Sequence, residues 1–299
     1  MEKRVLHRTR TFATATALSL SLAVLSTAAN AADKQVNIGW TAWSDAEAVT
    51  KLVAKLIEDN LGYDVELTLA DIAVQYQGVA NGDLDAMLMA WLPETHADYY
   101  GKVAGQLVDL GPIYTNAKLG WVVPNYVPQD QIASIEDLSK PEVKEMLGGQ
   151  IQGIDPGAGL MRLSQQAIEE YGLDYELVSS SGAAMTAALA RAISREEPIV
   201  VTSWNPHWMF GAYDLRYLDD PKGVLGGPER IHALARKGLD VDAPEVFDLL
   251  SRFYIPLAEL EAIMAEAEQT SYEDAVAKYI EANPARVNYW LTGEIGGTN

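Results

Sequence analysis

Apolar residues along this chain recur with the two periods of regular secondary structure. Short apolar runs bounded by glycine, proline or asparagine predict strands, and the longer amphipathic runs between them predict helices. The predicted strands span residues 36–40, 63–69, 86–89, 119–123, 150–154 and 199–202. Strands and helices that alternate in this way favour an α/β fold with mainly parallel sheets and helices on both faces.

Signals at the helix ends support this assignment. Predicted helices end at about residues 60 and 81, where Gly62 and Gly82 follow, as is usual at a helix C-terminus. Ser134 has an acidic residue three positions later and predicts a helix start near residue 135. Two further helices end at about residues 171 and 194, and the chain beyond residue 218 is predicted to be mostly helical as far as Trp290.

The length of 299 residues suffices for two lobes that each bury an apolar core. The pattern predicts lobe one at residues 32–121 and 215–299 and lobe two at residues 122–214. A chain that crosses twice between two α/β lobes leaves a cleft between them above a hinge. Strand ends that open into such a crevice are a usual place for a ligand.

The N-terminus predicts a secreted protein. Four basic residues among the first ten precede an apolar run at about residues 12–25 and then Ala-Asn-Ala at residues 29–31, which predicts a signal peptide at residues 1–31. An uncleaved membrane anchor is the alternative, but the run is short and diluted with Thr and Ser. The chain has no cysteine, which excludes disulfides, thiolate metal sites and a lipid-modified cysteine. A free periplasmic protein fits best.

The chain is strongly acidic. Residues 1–31 carry four basic residues and one acidic residue, so their removal lowers the net charge from −20 to −23. A nucleic-acid partner is not expected for such a charge. We interpret the acidity as a source of solubility in a salty medium in preference to a means of attracting the ligand.

Three of the seven tryptophans occupy equivalent positions. Trp43, Trp91 and Trp204 each follow the end of a predicted strand. A single tryptophan is usually core filler, but three in equivalent loops indicate a shared binding site. Indole faces attract a quaternary ammonium group, which cannot hydrogen-bond, by roughly 0.5–2 kcal/mol each.

A second signal is the loop at residues 155–161, Asp-Pro-Gly-Ala-Gly-Leu-Met, which leaves a strand and begins a helix. Its backbone amides and the positive end of the helix predict an anion site. A purely structural turn remains an alternative, whereas Arg162 stands where a dinucleotide-binding motif needs its third glycine. His96, five residues after Trp91, could donate to the same anion.

Other polar and aromatic residues near these loops have open roles. We expect His207 and Trp208 to pack in the scaffold. Four residues remain candidates for supporting the site: Trp40, Asp45, Tyr114 and Trp121.

The sequence offers no catalytic signature. It contains no Gly-x-Ser-x-Gly, no His-Glu-x-x-His and no cysteine nucleophile, and its four histidines lack metal-ligand spacing. We therefore predict neither an enzyme nor a cofactor or metal site.

Five segments carry a resemblance to a known family. They are GVANGD (78–83), AWLPETH (90–96), GIDPGAGLM (153–161), AMTA (184–187) and TSWNPHWMF (202–210). They resemble the glycine betaine-binding proteins of osmoprotectant ABC importers, and the similarity spans essentially the whole mature chain. The resemblance implies a two-lobed, type II periplasmic binding protein that closes on its ligand and docks on a membrane permease.

The resemblance also implies roles for single residues. Trp43, Trp91 and Trp204 match the family's cage for a trimethylammonium group. Gly159 and Leu160 match the pair whose backbone amides hold the carboxylate, and His96 matches the histidine that joins them. Leu160 replaces the more usual Ile, which should be silent because it acts through its amide, and Asn205 stands where Thr or Ser is expected.

The expected function is capture of glycine betaine, or a related small zwitterionic quaternary amine, by a monomeric periplasmic component of an ABC importer. A choline-binding protein of the same architecture is the alternative. An α/β hydrolase of choline or betaine esters is a further one.

Overall fold

The computed structural model describes residues 34–295, so the predicted signal peptide lies outside the described part of the chain. Alternating strands and helices confirm the α/β class. Within the described range the strands are β1 (Gln35–Trp40), β2 (Asp64–Leu69), β3 (Ala86–Leu92), β4 (Leu107–Pro124), β5 (Gln150–Gln152), β6 (Glu176–Val178), β7 (Val201–Asn205), β8 (Leu215–Tyr217) and β9 (Glu229–Arg236).

Helices fill most of the connections. They are α1 (Ser44–Leu61), α2 (Ile72–Asn81), α3 (Ala97–Val103), α4 (Pro141–Met146), α5 (Gly159–Glu170), α6 (Gly182–Ser194), α7 (Met209–Ala212), α8 (Leu239–Asp242), α9 (Pro244–Arg252), α10 (Leu257–Ala267), α11 (Tyr272–Ala282) and α12 (Pro284–Thr292). Short 3₁₀ helices occur at Ala104–Gln106 and Ile135–Ser139. No helix in residues 34–295 is long and apolar enough to cross a membrane.

The strands follow one path in the order β2-β1-β3-β9-β4-β7-β5-β6, and β8 also pairs with β4. Strand β1 is parallel to β2 and β3, and β5 is parallel to β6 and β7. Strands β4 and β9 pair only in the antiparallel sense within the described residues. The sheet is therefore mixed where we expected it to be mainly parallel, because two strands that were not fully predicted enter its centre.

Strand β4 joins two sections of this sheet. Up to Ala117 it pairs with β9, and from Lys118 onward it pairs with β7 and then β8. We call β2, β1, β3, β9 and β4 up to Ala117 the first section, and β5 to β8 with the rest of β4 the second section. The change of partner lies a few residues before the predicted lobe boundary at residue 121, and the lobe boundaries themselves stay predictions.

Helices α8 to α12 confirm that the chain after residue 218 is mostly helical, but strand β9 is an exception that we did not predict. Residues Ile231, Ala233 and Ala235 are buried at every second position, as in a strand. Two of its eight residues are alanine, which has low strand propensity, and Glu, Leu and Arg are good helix formers, so its composition resembles that of a helix. Its pairing with β3 and β4 supplies the stability that local propensity does not.

The predicted helix ends have the expected chemistry. Gly62 and Gly82 follow α1 and α2 with φ values of 68° and 84°, in the left-handed region that favours glycine. Ser134 forms a capping box with Asp137, although the helix that it starts is a short 3₁₀ helix. Helix α1 packs on α9, α10 and α11. Of these three helices, α9 and α10 also contact β4.

A glycine in β4 provides a test of the sheet. A Cβ atom added at Gly120 would overlap Cδ1 of Tyr217, whose ring stacks on Phe210 at 5.2 Å between centroids and cannot move freely. We expect Gly120→Ala to lower the free energy of unfolding in urea by about 1–3 kcal/mol. Gly101→Ala in α3 is the control, since no atom lies within 4 Å of its added Cβ. Equal stability of the two variants would contradict the packing described.

Candidate ligand-binding site

A cavity lies between the two sheet sections. Its walls combine aromatic side chains, small residues and one histidine. The lining residues are Trp43, Trp91, Thr95, His96, Leu119, Ile154, Ala158, Gly159, Leu160 and Trp204. The structure thus brings together all six residues that the sequence predicts for the site, and their role in binding stays a prediction.

The three tryptophans that line the cavity differ in where they lie relative to the strands. Only Trp43 follows a strand, at the residue before α1. Trp91 lies inside β3 opposite Ile231, and Trp204 lies inside β7 opposite Leu119. The expectation of three loop residues is therefore wrong for two of them: both strands continue until a residue that precedes a proline, which cannot donate to a ladder.

Two hydrogen bonds hold tryptophan rings across the cavity. Nε1 of Trp43 donates to Oδ2 of Asp155 at 3.1 Å, and Nε1 of Trp204 donates to Oδ1 of Asp45 at 3.0 Å. In each pair the two residues belong to opposite sides, since Trp43 and Asp45 follow β1 while Asp155 and Trp204 lie in or beside the second section. We call these two the crossed indole bonds. They place the ring centroids of Trp43 and Trp204 6.4 Å apart.

Asp45 is a fully buried carboxylate behind Trp204. Its other oxygen accepts a hydrogen bond of 2.6 Å from the hydroxyl of Tyr114, which is itself fully buried. Burial raises the pKa of Asp45 to about 6, and the hydrogen bonds from Tyr114 and Trp204 oppose this rise. Among residues 34–295, no lysine, arginine or histidine forms an ion pair with it.

His96 is almost completely buried and is held in one tautomer. Its Nδ1 accepts from the backbone N–H of Trp91 at 3.1 Å, so the proton of the neutral ring is on Nε2. Burial, with a smaller effect of the charge on Arg162, lowers the pKa of His96 to about 3. Cδ2, the neighbour of Nε2, would lie 3.1 Å from a Cβ added at Gly159. Since Nε2 is bonded to Cδ2, the donor nitrogen lies on the edge of the ring that is near the start of α5.

The start of α5 has free backbone donors. Ala158 provides no side-chain cap, and the first turn contains no acidic residue. Within residues 34–295, the N–H groups of Gly159 and Leu160 donate to no protein acceptor. Uncapped amides at a helix N-terminus attract an anion through their hydrogen atoms and through the helix dipole. The cavity thus has an aromatic end and a hydrogen-bond-donor end.

Hydrogen bonds beside the cavity join the two sheet sections. The hydroxyl of Tyr99 donates to the backbone oxygen of Gly157 at 2.9 Å, and the guanidinium of Arg162 donates to the backbone oxygen of Thr95 at 3.2 Å. A Cβ added at Gly159 would approach Cγ2 and O of Thr95 to 2.5 and 2.6 Å. Glycine is therefore the residue that allows this close approach.

Several candidate residues lie outside the cavity. His207 packs against Trp204, with ring centroids 4.6 Å apart, and its Nδ1 accepts from the backbone N–H of Met209. Burial lowers the pKa of His207 to about 3. Trp208 lies beside His207, while Trp121 is fully buried and donates to Ser164. Trp40 does not line the cavity either.

Sequence reasoning missed other residues of the site. Leu119 lies in β4 and Ile154 lies two residues after β5, and the apolar pattern alone does not identify which of its residues face the cavity. Asp155 was part of the predicted anion loop, but its bond to Trp43 depends on a contact between residues 112 positions apart. No group of three or more metal-ligating side chains occurs in the part of the chain that the structure describes.

Comparison with known proteins places these features in context. Residues 34–282 match a family described as the substrate-binding domain of ABC-type glycine betaine transport systems. The glycine betaine/carnitine transport binding protein GbuC of Listeria monocytogenes serotype 1/2a (strain 10403S) is 42% identical over 159 residues, which are 52% of this chain and 53% of GbuC. The chain therefore spans about half the length of this curated relative.

Two solved structures resemble the whole described fold. Lactococcal OpuAC, in its closed-liganded conformation complexed with glycine betaine, has a TM-score of 0.80 and 38% identity, over 87% of this chain and 100% of that one. An ABC-transporter choline-binding protein in complex with choline has a TM-score of 0.79 and 27% identity, over 87% of this chain and 92% of that one.

The buried carboxylate predicts a pH dependence of stability. Because the folded protein keeps a proton on Asp45 at pH values where the unfolded chain has lost it, the free energy of unfolding should fall as the pH rises from about 4 to about 6. The expected contribution is up to roughly 3 kcal/mol. Asparagine resembles the protonated carboxyl group, so Asp45→Asn should remove this contribution.

Urea denaturation of both proteins between pH 4 and pH 7 measures the effect. Asp240→Asn, at an exposed position of α8, is the matched control and should keep the wild-type pH profile. The same slope in wild type and Asp45→Asn would show that Asp45 does not titrate in this range.

Proposed function

The chain belongs to the family of substrate-binding domains of ABC-type glycine betaine transport systems, and we propose that its cavity binds glycine betaine for import. The fold is that of the type II periplasmic binding proteins. The family role is substrate capture for transport, and we propose that this chain has no enzymatic activity of its own.

Three indole rings support binding of a trimethylammonium group at the aromatic end. Trp43, Trp91 and Trp204 are almost completely buried and line the cavity, so a cation between them is desolvated. Under these conditions each indole face contributes up to about 2 kcal/mol. The crossed indole bonds use the ring N–H groups, which lie in the ring planes, so these bonds do not cover the ring faces.

The donor end supports binding of a carboxylate. The amides of Gly159 and Leu160 and the Nε2–H of His96 converge there from opposite sides of the cavity. A neutral histidine remains a donor throughout the physiological pH range, because its lowered pKa keeps Nδ1 unprotonated and bonded to Trp91. This pairing of a donor end with an aromatic end is the observation that carries the proposal, since a betaine has one group for each.

We further propose that ligand binding and closure are one event. In this interpretation, residues 32–121 and 215–299 form one lobe and residues 122–214 the other. Trp43, Trp91 and His96 then come from the first lobe, and Gly159, Leu160 and Trp204 from the second. A complete site exists only when both meet, so a membrane permease could distinguish a loaded from an empty protein by its shape.

The remaining parts of the proposal concern the setting of the protein. We propose that it acts as a monomer, docks on an ABC permease, binds no nucleic acid and requires no cofactor. We also propose that residues 1–31 direct it to the periplasm and are then removed. The net charge of −20 supports the absence of a nucleic-acid partner.

Choline is the second candidate ligand, because a solved relative contains it. Choline has the same trimethylammonium group but carries a hydroxyl in place of the carboxylate. It would leave at least some of the donors at the start of α5 without a charged partner, and hydrogen bonds to charged groups are worth about 1.5–3 kcal/mol. We therefore expect weaker binding of choline than of glycine betaine.

Titration calorimetry with a ligand panel tests the proposed function. Glycine betaine should bind at least about tenfold more tightly than choline, and glycine, which lacks the methyl groups, should not bind measurably. Trp204→Ala should weaken glycine betaine binding by more than about tenfold, or about 1.4 kcal/mol. Trp208→Ala, which removes a tryptophan outside the cavity, is the control and should change the dissociation constant less than about threefold. Tighter binding of choline than of glycine betaine would reverse the assignment.

A pair of glycine variants tests closure separately from chemistry. Gly159→Ala keeps the backbone amide but adds a Cβ that collides with Thr95, whereas no atom lies within 4 Å of a Cβ added at Gly157. We expect Gly159→Ala to weaken glycine betaine binding by more than about tenfold without lowering the melting temperature of the ligand-free protein, and Gly157→Ala to bind normally. Equal affinities in the two variants would show that the close approach at Thr95 is not needed for binding.

A further inference from the structure

We propose that Glu229 is a positioning residue, which fixes the turn at residues 94–96 so that His96 meets the anionic end of the ligand. The proposal rests on the proposed function, because the anionic end belongs to the betaine. Glu229 itself does not line the cavity.

Glu229 is a buried carboxylate that binds only neutral donors. It begins β9, where it pairs with Ala117 of β4, and only 1% of it is exposed. One oxygen accepts from the backbone N–H groups of Glu94 and Thr95, both at 3.0 Å, and the other accepts from the hydroxyl of Thr95. No cation within residues 34–295 forms an ion pair with it. Its burial is therefore offset by hydrogen bonds to this one turn.

Glu94 of this turn also contacts the segment before β9. Oε2 of Glu94 accepts from the backbone N–H of Gly227 at 3.3 Å. The same oxygen would lie 2.6 Å from a Cβ added at Gly226, which has a φ of 84°. The turn after β3 and the segment before β9 thus contact each other through Glu94 as well as through Glu229.

Thr95 connects Glu229 to the cavity, because it bonds to Glu229 and lines the cavity. The bond from its hydroxyl to Glu229 sets the side-chain rotamer, and the methyl group then faces Gly159. Its backbone oxygen accepts from Arg162, so the peptide group between Thr95 and His96 is held from both sheet sections. With that peptide fixed, the two bonds between His96 and the backbone of Trp91 direct the Nε2–H toward the start of α5.

Glu229→Gln, made in the full chain, tests this role. The substitution preserves size but puts an amide NH₂ among N–H and O–H donors, so the turn should loosen. We expect the dissociation constant for glycine betaine to rise by at least about tenfold, while that for choline, which has no carboxylate, changes less than about threefold. Glu176→Gln, at an exposed strand start, is the matched control and should leave both constants unchanged.

A nuclear magnetic resonance titration of His96 provides a readout that does not depend on any ligand. In the wild type the pKa of His96 should lie far below its ordinary value, and in Glu229→Gln it should rise toward that value as the ring becomes accessible to water. Thr95→Val, which removes only the hydroxyl bond, should produce a smaller change in the same direction and serves if Glu229→Gln does not fold.

An unchanged titration of His96 in both variants would overturn the proposal, as would an equal loss of affinity for both ligands. If the wild type binds no glycine betaine, the proposed function fails, and the His96 titration still decides whether Glu229 holds the turn.

Discussion

The crossed indole bonds are the interactions on which the arrangement of the site depends. An indole N–H lies in the plane of its ring, so a bond from it to a carboxylate fixes the ring without covering either face. Because Trp43 and Trp204 each bond to an aspartate from the other sheet section, the two sections determine each other's aromatic walls. The geometry of the cavity is therefore a property of their contact and of neither section alone.

The hydrogen-bond donors of the cavity are fixed dipoles, and the buried carboxylates near it are bound by dipoles. His96 is neutral, the start of α5 offers amides, and the carboxylates of Asp45 and Glu229 are both bound by neutral donors. A zwitterion suits such surroundings, since its two charges are met by aromatic faces and N–H groups that are already oriented. Free ions on the protein would add desolvation that a small ligand could not compensate.

The sequence was sufficient for the α/β class and for six of the ten residues that line the cavity, because tryptophan, glycine and histidine near predicted strand ends have strong local signals and the family resemblance adds Leu160. It was insufficient for Glu229 and Asp155, whose partners lie 134 and 112 positions away. It also failed for β9, since this strand contains few residues of high strand propensity and is stabilised by its pairing with β3 and β4. Local patterns identify which residues are chemically unusual, while long-range pairing decides what orients them.

Strand β4 is hydrogen-bonded to both sheet sections. Its 18 residues run without a break from one sheet section into the other, and Asn116, with a left-handed φ of 65°, interrupts its ladder just before the change of partner after Ala117. Any rotation of one section against the other must twist this strand, because its two halves are each hydrogen-bonded to a different section. In the closure that we propose, the twist would fall on this strand near the change of partner, and its resistance to twisting would contribute to the free-energy difference between the open and the closed arrangement.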